Sequence, residues 1–350
     1  MKNKVLMSGN EACGEGAMLA GCRFYAGYPI TPQNELTAYM AKRMYETSGI
    51  FIQAESEIAA ISMVFGASAA GVRAMTSSSS PGISLKQEGI SYMAGCELPC
   101  VIVNMQRGGP GLGNIAPSQG DYFQAVKGGG HGDYKLIVLA PASAQELMDY
   151  TRLAFDLADK YRNPVMILGD GLLGQMMEPV VIKPEDRTPQ VVDKPWALTG
   201  CKGRKPNIIK SLILAEGALE EHNKRLQEKF KLITRTETLS ESVDIKDSDI
   251  ALVAYGSVAR IARASMEMAR AKGLKAGLIR PVTLWPFPDK VIEAACASAK
   301  KFLVVEMSSG QMVEDVRLAV SGRVPVEFYG RMGGGIPSEE EILARIEALV

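Results

Sequence analysis

VRAMTSSSSPGISLKQEGISYMAGCELPCVIVN, residues 72–104, decides the fold class. Val72–Met75 and Cys100–Asn104 are short apolar runs of strand length, and Ile83–Ala94 between them carries a helical pattern. Two strands joined by a helix in so short a span form a parallel crossover unit. The same alternation continues on both sides. Lys135–Ala140 and Pro164–Leu168 read as further buried strands, and Glu57–Ala70 and Ser143–Lys160 as helices. Ser143 followed by Glu146 is a candidate capping box opening the last of these. Strand–helix alternation with right-handed crossovers predicts a doubly wound parallel α/β sheet over the first half of the chain.

After Asp170 the pattern changes. Pro179, Pro184, Pro189, Pro195 and Pro206 interrupt residues 178–207, which read as an extended connector, and a charged helix follows at Ala218–Lys229. From Asp249 a second series begins: ALVAYGS, the helix Val258–Lys272, AGLIRPVTLWPF, Ile292–Ala299 and FLVVEMSSG. The expected organisation is therefore residues 1–177, a connector with a helical segment at 178–246, and a smaller α/β unit at 247–350.

Composition excludes several classes of function. In 350 residues, 39 Lys and Arg balance 39 Asp and Glu, so no basic excess marks a nucleic-acid or anionic-membrane surface. No apolar run reaches the ~18–20 residues of a membrane helix. The opening MKNKVLMSGNEACGEG turns polar too early for a secretory leader. The six cysteines contain no Cys-x-x-Cys, which points to a reduced, cytoplasmic protein without a zinc or iron–sulfur site of its own.

In a parallel sheet, ligands gather beyond the carboxyl ends of the strands. Four segments at such ends stand out. In Gly27–Pro32, Thr31 reads either as a helix N-cap with Pro32 at the first helical position or as a hydroxyl held beside a ligand by two prolines. In Gln53–Glu57, a carboxylate either serves the first helical turn or is buried facing a ligand. There, burial disfavours its charge while the helix N-terminus favours it, a balance that suits a proton relay. The Thr76–Gly82 loop is rich in hydroxyls and leads into a helix, as an anion or polar-ligand loop does. Arg107 stands at a strand end before Gly108–Asn114, well placed to grip a carboxylate, with glycines that admit close backbone approach. Neither this loop nor Gly14-Glu15-Gly16 completes a dinucleotide fingerprint. Gly169-Asp170-Gly171 resembles the start of a GDG…N magnesium–diphosphate motif, but the required Asn is missing from Val192–Thr199, so it reads as a strand terminus.

Taken together, GYPITPQNE, QAESEIAA, MTSSSSPGISLKQEGISYMAG, VIVNMQRGGPGLGN and PSQGDYFQAVKGGGHGDY resemble the alpha subunit of the 2-oxoacid:ferredoxin oxidoreductases. RPVTLWPFP and VVEMSSGQM extend the resemblance over nearly the whole chain, and it is strongest to the branched-chain (2-oxoisovalerate) type. The resemblance implies a thiamine-enzyme pyrimidine-binding type parallel-sheet domain followed by a transketolase C-terminal-like α/β domain. It implies oxidative decarboxylation of a 2-oxo acid with coenzyme A, giving acyl-CoA, carbon dioxide and reduced ferredoxin. Thiamine diphosphate would be shared with a beta subunit that carries the diphosphate domain. Magnesium and [4Fe-4S] clusters would lie on partner subunits, including ferredoxin-like delta and gamma subunits. Carried over by motif, Glu57, rather than Glu55, would hydrogen-bond pyrimidine N1′, and Thr31 and Arg107 would hold the substrate's carboxylate and carbonyl oxygens. Pro29, Ser79, Ser80 and Asn114 would line the same cofactor cleft. The alternatives are the same machinery acting on 2-oxoglutarate or pyruvate, or a non-catalytic scaffold for the beta subunit.

Overall fold

In the computed structural model of the chain, which describes residues 4–183 and 192–350, the opening unit forms as strand Ala74–Ser78, helix Ser80–Gly95 and strand Cys100–Gln106. The strands pair in parallel, from Met75 opposite Val101 to Ser78 opposite Asn104. The helix begins at Ser80 rather than Ile83. Pro81 is compatible with a first helical turn, and extended Ser79 occupies the N-cap, so the serines divide between strand end and helix start instead of forming a loop.

Seven strands make the larger sheet, in the order Thr283–Trp285, Ile137–Leu139, Pro164–Asp170, Cys100–Gln106, Ala74–Ser78, Phe24–Gly27 and Ile50–Gln53. All neighbours are parallel except the first pair. Every residue of Cys100–Gln106 and Pro164–Asp170 is buried, which is why these strands read as continuous apolar runs: helices cover both faces. Because the strands are parallel, their carboxyl ends deliver Gly27, Gln53, Ser78, Gln106 and Asp170 to one edge.

Three local expectations are corrected. The segment Met177–Val181 is not connector but a strand, antiparallel to Lys4–Ser8. Thr283–Trp285, read within the second series, crosses to the larger sheet and pairs with Ile137–Leu139. The Ser143 side chain does cap its helix, but the Glu146 carboxylate turns to the Ala142 N–H and to Arg280, so the reciprocal box does not close. Pro184 and Pro189 lie outside the described residues. The charged helix runs Ala218–Thr236.

A five-stranded sheet follows, ordered Val326–Gly330, Lys301–Glu306, Ile250–Val253, Ala276–Pro281 and Ser240–Val243, with the last strand antiparallel. It is tied to the larger sheet by buried polar contacts. Gln119 donates from Nε2 to Tyr255 O at 2.9 Å and accepts at Oε1 from Met307 N at 3.0 Å. The Tyr122 hydroxyl donates to Asp315 at 2.6 Å. Glu306 is buried and accepts from the N–H groups of Met312 and Val313, which fixes the start of the Met312–Val320 helix. Burial pushes its carboxyl above the usual range, while those N–H groups oppose the rise. No helix among the described residues is long and apolar enough to cross a membrane.

Candidate active site

Asp170 is the acid of the Gly169-Asp170-Gly171 motif. It ends its strand, caps the Gly171–Gln175 helix by accepting from Leu172 and Leu173 N–H at 3.0 Å each, and accepts from Ser257 Oγ at 2.6 Å. With these partners its carboxylate belongs to the fold, as expected of a strand terminus. Among the described residues, no group of three or more His, Cys, Asp or Glu side chains is placed to hold a metal ion.

The strand edge is chemically most active around Glu57. Glu57 opens the Glu57–Ala69 helix, whose N-cap Ser56 accepts from Ala59 N–H at 3.2 Å. With Ser56 filling the capping role, the Glu57 carboxylate is not needed for it. Glu57 is only 5% exposed, whereas Glu55 faces solvent, which separates the two acids of the motif. Among the described residues, nothing hydrogen-bonds the Glu57 carboxylate, which faces Gly82 on the neighbouring helix. A Cβ at Gly82 would fall 2.5 Å from Glu57 Oε1 and 2.0 Å from Ser78 Oγ, so only glycine lets the Ser80–Gly95 helix approach this closely.

Beside the carboxylate lie hydroxyls without partners. Ser78 Oγ, Ser79 Oγ and Thr76 Oγ1 are buried and unbonded, and Ser79 does not cap its helix although it stands at the N-cap. Buried donors and acceptors without partners are costly, and a concentration of them at strand ends marks a place where a ligand completes the bonding. Behind them is a satisfied network. Tyr25 bonds Ser77 Oγ at 2.6 Å and Thr37 at 3.1 Å, and Ser77 and Thr37 both donate to Gln33 Oε1.

Arg107 and Thr31 are brought together. The guanidinium donates to Thr31 O and Leu112 O, both at 3.0 Å, while its buried Nε has no partner. It thereby pins the Gly27–Pro32 loop to the glycine loop and keeps one donor in reserve. Thr31 does not cap a helix: the next helix starts at Asn34 with Gln33 at its N-cap, and the Thr31–Pro32 peptide is cis. The Thr31 hydroxyl accepts only a long 3.3 Å bond from Asn34. Pro29 stands exposed on the same loop.

Two expected cleft residues point elsewhere. Ser80 Oγ donates to Asp121 at 2.6 Å and accepts from Arg107 N–H at 3.0 Å, so its hydroxyl is committed within the protein. Asn114 is exposed, donates to Gly333 O at 2.8 Å and accepts from Ala116 N–H at 3.1 Å. It fastens the glycine loop to the second unit instead of lining the cleft. Sequence reasoning passed over Asp121, Asn104 and Lys86. Asp121 also accepts from Asn104 Nδ2 at 2.9 Å, and burial raises its carboxyl above the usual range. Lys86, fully buried, was hidden inside a helix read only for its apolar period; a lysine on the covered face of that period was the available signal.

Known proteins resemble this chain over nearly its whole length. Residues 15–243 match a family model described as pyruvate flavodoxin/ferredoxin oxidoreductase, thiamine diphosphate-binding, and residues 248–342 match pyruvate:ferredoxin oxidoreductase core domain II. The chain is 52% identical to ketoisovalerate oxidoreductase subunit VorB of Methanothermobacter thermautotrophicus, over 97% of this chain and 96% of that protein. It is 38% identical to 2-oxoglutarate synthase subunit KorA of the same organism, over 99% of each. A solved structure of 2-oxoglutarate:ferredoxin oxidoreductase from Magnetococcus marinus, with 2-oxoglutarate, coenzyme A and succinyl-CoA bound, superposes with a TM-score of 0.89 at 31% identity. This chain is covered to 99% in that match but spans 65% of the other. A split-gene transketolase shares the fold, with a TM-score of 0.61 at 14% identity over 98% of this chain and 97% of that one. The edge of unpartnered hydroxyls and the buried acid thus lie within a thiamine diphosphate-binding domain, and the chain belongs to the 2-oxoacid:ferredoxin oxidoreductase family.

Proposed function

We propose that this chain is the alpha-type subunit of a branched-chain 2-oxoacid:ferredoxin oxidoreductase. It would act on 2-oxoisovalerate with coenzyme A to give acyl-CoA, carbon dioxide and reduced ferredoxin. The observation that carries the reading is the Glu57 carboxylate, 5% exposed and without a hydrogen bond among the described residues. A buried acid left unbonded beside unbonded serines suits the polar edge of an aminopyrimidine, which would restore the missing bonds.

Thiamine diphosphate, when bound, would supply the carbanion and electron-sink chemistry that decarboxylation of a 2-oxo acid needs. This chain's own contribution is more limited. Glu57 holds and returns a proton at pyrimidine N1′, Ser79 borders the ring, and Pro29 shapes the mouth. Arg107 and Thr31 orient the substrate's carboxylate and carbonyl oxygen, the free Nε of Arg107 being the donor left for that contact. Residues 1–177 form the pyrimidine-binding domain, 178–246 the connector and 247–350 the transketolase C-terminal-like domain in this reading. The diphosphate, its magnesium ion and the [4Fe-4S] clusters are assigned to the beta, delta and gamma partners. The commitment of Asp170 to Leu172, Leu173 and Ser257 supports placing the diphosphate anchor elsewhere.

Greater identity to VorB than to KorA favours a branched-chain substrate. The co-purified complex is expected to reduce viologen with 2-oxoisovalerate and coenzyme A at a kcat/KM at least ~10-fold above that with 2-oxoglutarate or pyruvate, the scale at which apolar pockets discriminate. A preference for 2-oxoglutarate would transfer the assignment to that substrate.

A further inference from the structure

Lys86 lies one helical turn beyond Gly82 on the Ser80–Gly95 helix, and the side chain is 0% exposed. Residues four apart share a helix face, so Lys86 is on the face that Gly82 presses against Glu57. A fully buried lysine is rare unless paired. Here the ammonium makes one long bond, 3.4 Å to Ser77 O, at the end of the strand that carries the unbonded Ser78. Among the described residues, no ion pair holds the Lys86 ammonium. Glu57 is the charged group that acts on Lys86. Across the cleft, Arg107 is bonded to Thr31 O and Leu112 O, and Asp121 to Ser80 and Asn104. Lys86 and Glu57 are therefore buried groups of opposite charge on the two sides of the Gly82 contact, with no direct ion pair between them and the carboxylate left without a hydrogen bond.

We propose that Lys86 is a positioning residue for Glu57: its buried ammonium attracts the Glu57 carboxylate and holds it aimed at the pyrimidine-binding site. This rests on the relay role given to Glu57 above. A direct, tight salt bridge would hold the carboxylate and block the relay. A charge set behind it stabilises the anion and leaves both oxygens free to share a proton. Burial drives Lys86 down from 10.5 to about 8, with Glu57 opposing the fall, so the ammonium is retained at neutral pH. A lysine whose folded value is lowered binds fewer protons folded than unfolded between about 8 and 10.5, so its penalty is fully present below about 8 and relieved as pH rises toward 10.5. A residue that costs stability at neutral pH and faces a site acid has the profile of a group retained for function.

The test uses the assembled complex carrying Lys86→Met, which conserves length and apolar volume, and Lys86→Gln, which keeps a polar head without charge. Both are expected to move the acid limb of the kcat/KM–pH profile upward by about one pH unit, a loss of up to ~10-fold on that limb that disappears toward alkaline pH. The near-ultraviolet circular dichroism that reports the tautomers of the bound aminopyrimidine should shift along the pH axis with the same sign. Lys86→Met should also melt higher than wild type at pH 7, a difference that narrows above about pH 8. Combined with Glu57→Gln, Lys86→Met should add no further loss, because it acts through Glu57. An unmoved acid limb and dichroism, a loss equal at every pH, or full additivity in the double variant would overturn the proposal. So would a wild-type profile in Lys86→Gln. If Glu57→Gln were itself without effect, the relay reading would fall and this proposal with it. An inactive Glu57→Gln with an unshifted Lys86→Met would remove this proposal alone.

Discussion

Glu57→Gln in the assembled complex is expected to lower kcat for 2-oxoisovalerate oxidation by about 10²–10⁴-fold, the range for losing a positioned proton-transfer group. The substitution preserves shape. Ser56, not Glu57, caps the helix, so the Glu57–Ala69 helix keeps its start. An amide occupies the space beside Gly82 but can neither hold nor release a proton at N1′. The Michaelis constant for the 2-oxo acid should change little, since the contact proposed for Glu57 is with the ring and not the substrate. Thermal stability should hold or fall slightly, because the amide no longer offsets the charge of the buried Lys86 ammonium. Steady-state viologen reduction and thermal melting measure both sides. A kcat within twofold of wild type, on a complex with full cofactor occupancy, would remove the relay role.

Arg107→Ala carries the second large effect, an expected fall of about 10²–10³ in kcat/KM, the scale on which a buried charge-assisted contact is lost. The cause is twofold. The guanidinium joins Thr31 O to Leu112 O, so its removal frees two loops on opposite sides of the cleft. It also removes the buried Nε donor assigned to the substrate carboxylate. Arg107→Lys should recover little, because a lysine cannot span two carbonyls and present a third donor in one plane. The loss should appear mainly as a raised KM for the 2-oxo acid, accompanied by faster amide exchange over Gly108–Asn114. An unchanged KM would favour the scaffold reading, in which this chain does not touch substrate.

The parallel core was legible because its strands are buried on both faces, which writes them as unbroken apolar runs such as Cys100–Asn104 and Pro164–Leu168. Edge elements carry no such signal. Met177–Val181 buries only Val180 beside Lys4–Ser8, and its Pro179 disguised it as linker. Thr283–Trp285 is too short for a pattern, and its destination in the other sheet is a tertiary fact. At the site, Arg107 stood out as an arginine at a strand end before glycines, whereas an acid in a first helical turn has a ready structural role, so Glu57 was told from Glu55 by the family motif. Ser80 and Asn114 could not be told from ligand residues, since the orientation of a hydroxyl or amide depends on partners far along the chain, Asp121 and Gly333. Lys86 was hidden by averaging: one charge in an otherwise ordinary helix period does not alter the pattern.

In the proposed function this chain presents Glu57 to the aminopyrimidine of a cofactor whose diphosphate is held by a partner. The most direct measurement is the structure of the assembled complex with thiamine diphosphate bound. A Glu57 carboxylate oxygen within hydrogen-bond reach of N1′, about 2.6–3.2 Å, with the diphosphate and its metal ion on the partner subunit, is the predicted result. N1′ facing an acid of another subunit, or a cofactor bound wholly by the partner, would contradict it.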